Sequence, residues 1–318
     1  MKPKWRVLVS APYAMPALDW YRGRLAEAGC EMIVAPVQER LEEEQLLALL
    51  VDMDGLICGD DRITDRVLAA FPRLRVISKW GTGIDSIDQE ACRRRGVTLC
   101  NTPNAFSEPV ADTVLAYMLL TARQPDRLDA GVRSGAWPKT QLTTLGESTL
   151  GVIGVGNCGR AVIRRARAFG MTVLGFDSYP VPPDFLRDTA TRMVGLEELL
   201  RSSDYISLHL TLSSETHQLI NAERLALLRP TAYLINTARG PLVEEAALAA
   251  ALAAGRLAGA ALDVFEVEPL PASSPLRRLA NCRLGAHHAN SSPAAAWKVH
   301  ENTVANLVRV LNQKLPPA

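Results

Sequence analysis

The chain has 318 residues, of which 48% are hydrophobic and 22% charged, so it exceeds one typical domain and has apolar content for two cores. Lys and Arg total 35 against 34 Asp and Glu, with the signs interspersed, which excludes a general field for nucleic acid or an anionic membrane and favours small-molecule chemistry. The start, MKPKWRVLVSAPYAMP, has too short an apolar run for a secretory signal, and no run of 18 or more apolar residues follows. A cytoplasmic protein without membrane contact is expected.

In the first hundred residues, short apolar runs at 7–9, 32–34, 56–58, 75–78 and 97–100 alternate with helical patterns at 18–28, 42–50 and 65–70. This alternation predicts a parallel sheet in a first α/β domain over residues 1–103. Residues 107–122 repeat Val110, Val114, Leu115, Met118 and Leu119 at helical spacing, with Ser107 as a candidate cap, and are expected to link two domains. Residues 124–148, with Trp137 and Pro138, lack strand patterning and read as a connecting arm or loop. Six cysteines (Cys30, Cys58, Cys92, Cys100, Cys158 and Cys282) form neither a CxxC pair nor a compact metal spacing, so reduced, mostly buried thiols and no metal site are expected.

Residues 149–177, TLGVIGVGNCGRAVIRRARAFGMTVLGFD, contain the parts of a dinucleotide-binding βαβ unit. Leu150, Val152 and Ile153 suit a strand buried on both faces. Gly154, Gly156 and Gly159 then spell GxGxxG: the first permits a tight turn, the second lets a pyrophosphate approach the backbone, and the third lets helix and strand pack closely. A side chain at any of the three is expected to obstruct. The next helix carries Ala161, Ala166 and Phe169 on one face and stops at Gly170, and its amino-terminal amides suit an anion. A strand at 172–176 ends in Asp177, 18 residues after the last glycine, where a carboxylate would accept from the adenosine ribose. It would also repel a 2′-phosphate, and Ser178 and Tyr179 supply no cation, so NAD is expected over NADP. An exposed strand-end acid is the other reading of Asp177. Arg160, Arg164, Arg165 and Arg167 read as a solvated face.

Strands are expected again at 205–208, 233–236 and 258–262, with a helix at 243–254 stopped by Gly255. A last helix at 293–311 offers Trp297, Val304, Leu307 and Val308 for packing. A nicotinamide site needs a substrate anchor, a proton donor and a group that tunes the donor. Arg239 in INTARG, Glu268 in LDVFEVEP and His287 in LGAHHANSSP each follow a strand end. A guanidinium grips a carboxylate with two parallel hydrogen bonds, and a carboxylate against an imidazole favours the imidazolium. Taken singly, each has a structural reading: a cap on a turn, a solvated acid before Pro269, a hydrogen-bonded histidine.

Together these segments, with 29 residues from Arg239 to Glu268 and 19 from there to His287, resemble the D-2-hydroxyacid dehydrogenase family over nearly the whole chain. KWGTGIDSIDQEACRRRGVTLCNTPN at 79–104 resembles its substrate-domain loop. The resemblance implies that Arg239 binds the substrate carboxylate and carbonyl, that His287 transfers the proton and that Glu268 pairs with His287. Of the adjacent His287 and His288, the spacing to Pro293 in the family selects His287. Backbone around Trp80, Gly81, Thr82 and Gly83 would hold the carboxylate, and Thr82, Asn157, Cys158, Leu210, Thr237, Ala238 and Asp263 would contact or flank the dinucleotide. Ala286 and Thr211 stand where the family commonly has proline, which loosens local rigidity without removing a catalytic group.

Lys79 sits at a position that is basic in phosphoglycerate dehydrogenases and hints at a second anionic group on the substrate. Against this, Cys58-Gly59-Asp60-Asp61 lacks the arginine of those enzymes and adds two acids.

The resemblance therefore implies two Rossmann-like, doubly wound parallel-sheet domains with a cleft between them. Residues 1–103 plus 291–318 would form a discontinuous substrate domain and residues 104–290 the dinucleotide-binding domain. The implied reaction moves a hydride between NAD(H) and a small D-2-hydroxy or 2-keto acid, and a homodimer through the 124–148 arm is implied as well. The alternatives are an NAD-sensing corepressor or scaffold on the same fold, and a formate or phosphite dehydrogenase.

Overall fold

A computed structural model describes residues 4–313; the ends of the expected first domain, 1–3 and 314–318, lie outside the described residues. The chain divides into two compact units at 105/106 and again at 291/292. Each is built on a wholly parallel sheet, as the alternating sequence pattern predicts.

In the first unit, β1 (Trp5–Val9), β2 (Cys30–Val34), β3 (Gly55–Cys58), β4 (Val76–Lys79) and β5 (Thr98–Cys100) lie in the order β2-β1-β3-β4-β5. Every residue of β3 and β4 is buried, which requires cover on both faces of the sheet. Short helices supply part of it and begin where their caps dictate: Thr64 accepts from the Val67 amide before Asp65–Ala70, and Asp88 from the Ala91 amide before Gln89–Arg94. The final helix, Pro293–Asn312, belongs to this unit and buries Val304, Leu307 and Leu311. Leu307 comes so close to β3 that a Cβ on Gly55 would sit 3.1 Å from its Cδ1.

In the second unit, β6 (Thr149–Ile153), β7 (Thr172–Phe176), β8 (Arg192–Met193), β9 (Tyr205–Leu208), β10 (Tyr233–Asn236), β11 (Gly259–Leu262) and β12 (Cys282–Leu284) form the order β12-β11-β10-β9-β6-β7-β8. Strand order reverses between β6 and β9, and in the first unit between β1 and β3. Carboxyl ends of strands at such a reversal open the crevice where doubly wound sheets bind ligands. The helix Asn157–Ala168 buries Ala161, Val162, Ile163 and Ala166, and the helix Ser107–Arg123 packs on it, contributing Ala111, Val114, Leu115 and Met118 to the same core cluster. Arg165 crosses between these helices to Glu108 and Asp112, both at 2.7 Å.

Several local expectations are corrected. Ser107 is the first helical residue and makes no cap; Phe106 precedes it, and the Ser107 hydroxyl lies 3.6 Å from Cys158 Sγ. Phe169 falls beyond its helix and is 46% exposed, because the chain turns at Gly170 (φ +79) before the ring can reach the core. Residues 125–133 of the supposed loop form a helix, Pro125–Arg133, with no buried residue. The six cysteines are free, four of them buried. Among the described residues no helix is long and apolar enough to cross a membrane, and no group of three or more His, Cys, Asp or Glu could hold a metal ion.

Candidate active site

At the reversal in the second unit, β6 runs into Gly154 at φ +93, a conformation side chains rarely adopt. A Cβ there would lie 2.6 Å from the His209 carbonyl oxygen just past β9 and 3.0 Å from Leu210 Cδ2. At Gly159 a Cβ would fall on the Gly154 carbonyl, so helix and strand meet here only because Gly159 is bare. Gly156 is the position expected to let a pyrophosphate approach the backbone. It is exposed, and a Cβ would meet nothing within 4 Å. The open space lies where Gly156 caps the helix beginning at Asn157 and Cys158, whose amino-terminal amides and dipole favour an anion.

Asp177 follows β7. Its Oδ2 accepts from the Val155 amide at 2.6 Å and its Oδ1 from the Tyr179 amide at 2.9 Å. The carboxylate thus braces the glycine turn, and each oxygen keeps a further lone pair for a hydroxyl.

Three turns farther along the same sheet edge bring Arg239, Glu268 and His287 together. Buried Asn236 ends β10 and staples the first turn: its Oδ1 accepts from the Ala238 amide at 3.0 Å while its Nδ2 donates to the Arg239 carbonyl at 2.8 Å. Gly240 presses on the second turn, where a Cβ would fall on the Phe265 carbonyl. The Phe265 amide in turn donates to Glu268 Oε1 at 2.9 Å. Glu268 Oε2 lies 2.7 Å from His287 Nδ1. Burial pushes the Glu268 carboxyl up, but the hydrogen bond and charge of His287, the Phe265 amide and the Arg239 guanidinium together hold it below the usual carboxylate range.

His287 has φ +52, left-handed backbone that is uncommon for a residue with a Cβ. Its amide donates to the Asp263 carbonyl at 2.8 Å, which holds the turn in place. His288 faces elsewhere: it is largely exposed, with Nδ1 3.2 Å from Asp263 Oδ1. The partner of Glu268 is therefore His287.

In the first unit, Trp80 follows β4, donates from Nε1 to His300 Nδ1 at 2.9 Å, and is buried. Gly81 has φ +124. The Thr102 amide donates to the Gly81 carbonyl at 2.9 Å and Asn101 Nδ2 to the Thr82 carbonyl at 2.7 Å, while Thr82 Oγ1 donates to the Thr102 carbonyl at 2.9 Å. In a planar trans peptide the N–H points opposite the C=O, so these two bonds turn the amides of Thr82 and Gly83 the other way. Lys79 is buried, with Nζ 3.1 Å from Asp60 Oδ1.

The family model described as D-isomer specific 2-hydroxyacid dehydrogenase, NAD binding domain, matches residues 115–289. A glyoxylate reductase of Korarchaeum cryptofilum is 38% identical over 84% of this chain and 82% of its own length. The chain belongs to the D-isomer-specific 2-hydroxyacid dehydrogenase family. A D-3-phosphoglycerate dehydrogenase of Methanocaldococcus jannaschii is 36% identical over 85% of the dehydrogenase described here, which spans only 52% of that longer protein. The crystal structure of a D-lactate dehydrogenase from Aquifex aeolicus, complexed with NAD and lactic acid, superimposes with a TM-score of 0.84 at 28% identity, covering 95% of this chain and 93% of that one.

This dehydrogenase is NAD-dependent, and its second unit fits the coenzyme. The space over Gly156 suits a pyrophosphate and Asp177 suits a ribose. Beyond β10, the buried Thr237 Oγ1 has no hydrogen-bond partner among the described residues. Such an orphaned atom costs about 1–3 kcal/mol and is suited to meet a polar group of a bound molecule. The residues that orient the site were not singled out from sequence. Asn236 and Gly240 stand near Arg239 in the INTARG segment, and Asn101 lies within the same 79–104 segment as Thr82, so these were the findable ones; His300 acts across 220 residues, which leaves no local signal.

Proposed function

We propose that the dehydrogenase reduces a short 2-keto acid of glyoxylate or hydroxypyruvate size and runs the reverse oxidation on the D-2-hydroxy acid. Arg239 holds the substrate carboxylate and carbonyl; in the first unit the Thr82 and Gly83 amides suit a carboxylate. In reduction His287 passes a proton from Nε2 to the keto oxygen, while Glu268 fixes Nδ1–H and balances the imidazolium. Oxidation starts from neutral His287 and returns the proton. Hydride chemistry at the substrate C2 belongs to the bound nicotinamide.

The observation that carries this reading is the 2.7 Å contact between His287 and Glu268, with the charge of Arg239 also acting on the Glu268 carboxylate. The name of the glyoxylate reductase relative supports the substrate size. The test follows NADH absorbance with glyoxylate, hydroxypyruvate, pyruvate, phenylpyruvate and 3-phosphohydroxypyruvate. Fastest turnover is expected on the first two. NADH binding without turnover of any keto acid would reject the reading in favour of a binding role.

The same chain is proposed to form a homodimer through residues 124–148. In support, the helix Pro125–Arg133 buries nothing, while Val132 is 49% and Trp137 75% exposed. Size-exclusion chromatography should give about twice the 34.5 kDa chain mass, and a monomer would overturn the proposal.

A further inference from the structure

The carboxyl edge of the first unit's sheet carries a charged cluster that proton transfer does not use. Lys79 ends β4, and its Nζ bridges Asp60 Oδ1 and the Trp80 carbonyl, each at 3.1 Å. Asp60 follows β3 and remains 45% exposed, whereas the Lys79 side chain is only 5% exposed. Next to it, Asp61 is fully buried; the Leu41 amide donates to its Oδ1 at 2.7 Å and the Ser10 hydroxyl donates to its Oδ2. Ser10 follows β1, so the Ser10–Asp61 bond spans the two strands where the order reverses, the place at which such sheets collect ligands. Tyr13, on the same β1 loop, stacks on Trp80 with ring centroids 4.6 Å apart and planes 13° apart.

A lysine buried at this edge would by itself attract a phosphate or a second carboxylate. Here one ammonium stands beside two carboxylates, so the edge is neutral to negative. Lys79 cannot turn to a ligand without giving up its contacts with Asp60 and the Trp80 carbonyl. Resting on the dehydrogenase reading above, we infer that Asp60 is a positioning residue that sets substrate charge: by holding Lys79 it makes the enzyme reject 2-keto acids with a second anionic group. Short acids without such a group, glyoxylate and hydroxypyruvate among them, are accepted.

The test compares kcat/KM for hydroxypyruvate and 3-phosphohydroxypyruvate at saturating NADH. Wild type is expected to favour hydroxypyruvate by at least about tenfold, and Asp60→Asn should shift the ratio toward the phosphorylated acid by about tenfold, the scale of one unit charge several Å away at an effective dielectric of ~20 after screening. Adding Lys79→Met should abolish that gain, because the freed ammonium produces it. An unchanged ratio in Asp60→Asn, or equal use of both acids by wild type, overturns the inference. Should the variant fail to fold, raising the salt with wild type decides: screened repulsion raises the relative efficiency on the phosphorylated acid, and a flat or falling ratio overturns it. No turnover of either acid by wild type defeats the dehydrogenase reading instead.

Discussion

Gly240 and Phe265 occupy one another's space so fully that a single methyl on Gly240 would overlap the Phe265 carbonyl. The turn that carries Arg239 is thereby held against the turn whose Phe265 amide orients Glu268. Gly240→Ala must push these turns apart, since backbone cannot rotate away as a side chain can. Overpacking of this kind costs about 1–3 kcal/mol. Urea unfolding should show that loss, and kcat/KM should fall with it because anchor and proton relay are displaced together. Wild-type stability and turnover in Gly240→Ala would mean that the turns are independent.

The proton relay makes two separable predictions. His287→Ala should lower turnover by about 10²–10⁴, the usual worth of positioned acid–base catalysis, while His288→Ala, which loses its approach to Asp263 and a bond from the Ala286 amide, should leave turnover close to wild type. The reverse pattern would reassign the donor. Glu268 supplies the pH signature. His287 charge holds the Glu268 carboxyl low, and coupling is reciprocal, so the carboxylate favours protonated His287. In Glu268→Gln the reductive rate should therefore fall off at lower pH than in wild type. A pH–kcat/KM profile that does not move toward acid would break the link between the two groups.

Sequence legibility followed the physics of burial. Strands β9 and β10 fall on residues 205–208 and 233–236 as expected, because a parallel strand covered on both faces is a continuous apolar run. Pro125–Arg133 is hard to read because its apolar face is only Leu128 and Val132, one turn apart among charged residues, and none of its residues is buried. At the site, residues that act by type stand out: glycines that must lack a side chain, and Arg239, Glu268 and His287 after strand ends. What aims them does not. The Asn236 staple depends on local turn geometry, and the Lys79–Asp60 pair joins two strand ends 19 residues apart, a contact only the parallel register β3–β4 creates.

Asp177 has two jobs that one substitution can separate. Its charge would repel a 2′-phosphate, and its oxygens also accept from the Val155 and Tyr179 amides. Asp177→Asn removes the charge and retains one acceptor oxygen for the turn. Affinity for NADPH relative to NADH, read by fluorescence titration, should rise by about tenfold, the equivalent of about 1.4 kcal/mol. Asp177→Ala should weaken both coenzymes because the glycine turn loses its brace. Equal discrimination in wild type and Asp177→Asn would show that the charge does not select the coenzyme.

Asp61 should leave its mark on stability. Burial raises its carboxyl to about 6, against the opposing hydrogen bonds from Ser10 and Leu41 and the charge of Lys79. A carboxyl whose folded pKa exceeds its unfolded value of about 3.9 favours the folded state while protonated. That stabilisation is complete below about pH 4 and is lost as pH rises through about 6, a swing on the order of 2–3 kcal/mol. Asn at this position stays neutral, can accept from the Leu41 amide and can donate to Ser10. The stability of Asp61→Asn relative to wild type, from urea unfolding across this range, should therefore increase by about 2 kcal/mol between pH 4 and 7. A constant difference between the two proteins would mean that Asp61 ionises in the fold as it does in the unfolded chain, and that its burial is fully offset by Ser10, Leu41 and Lys79.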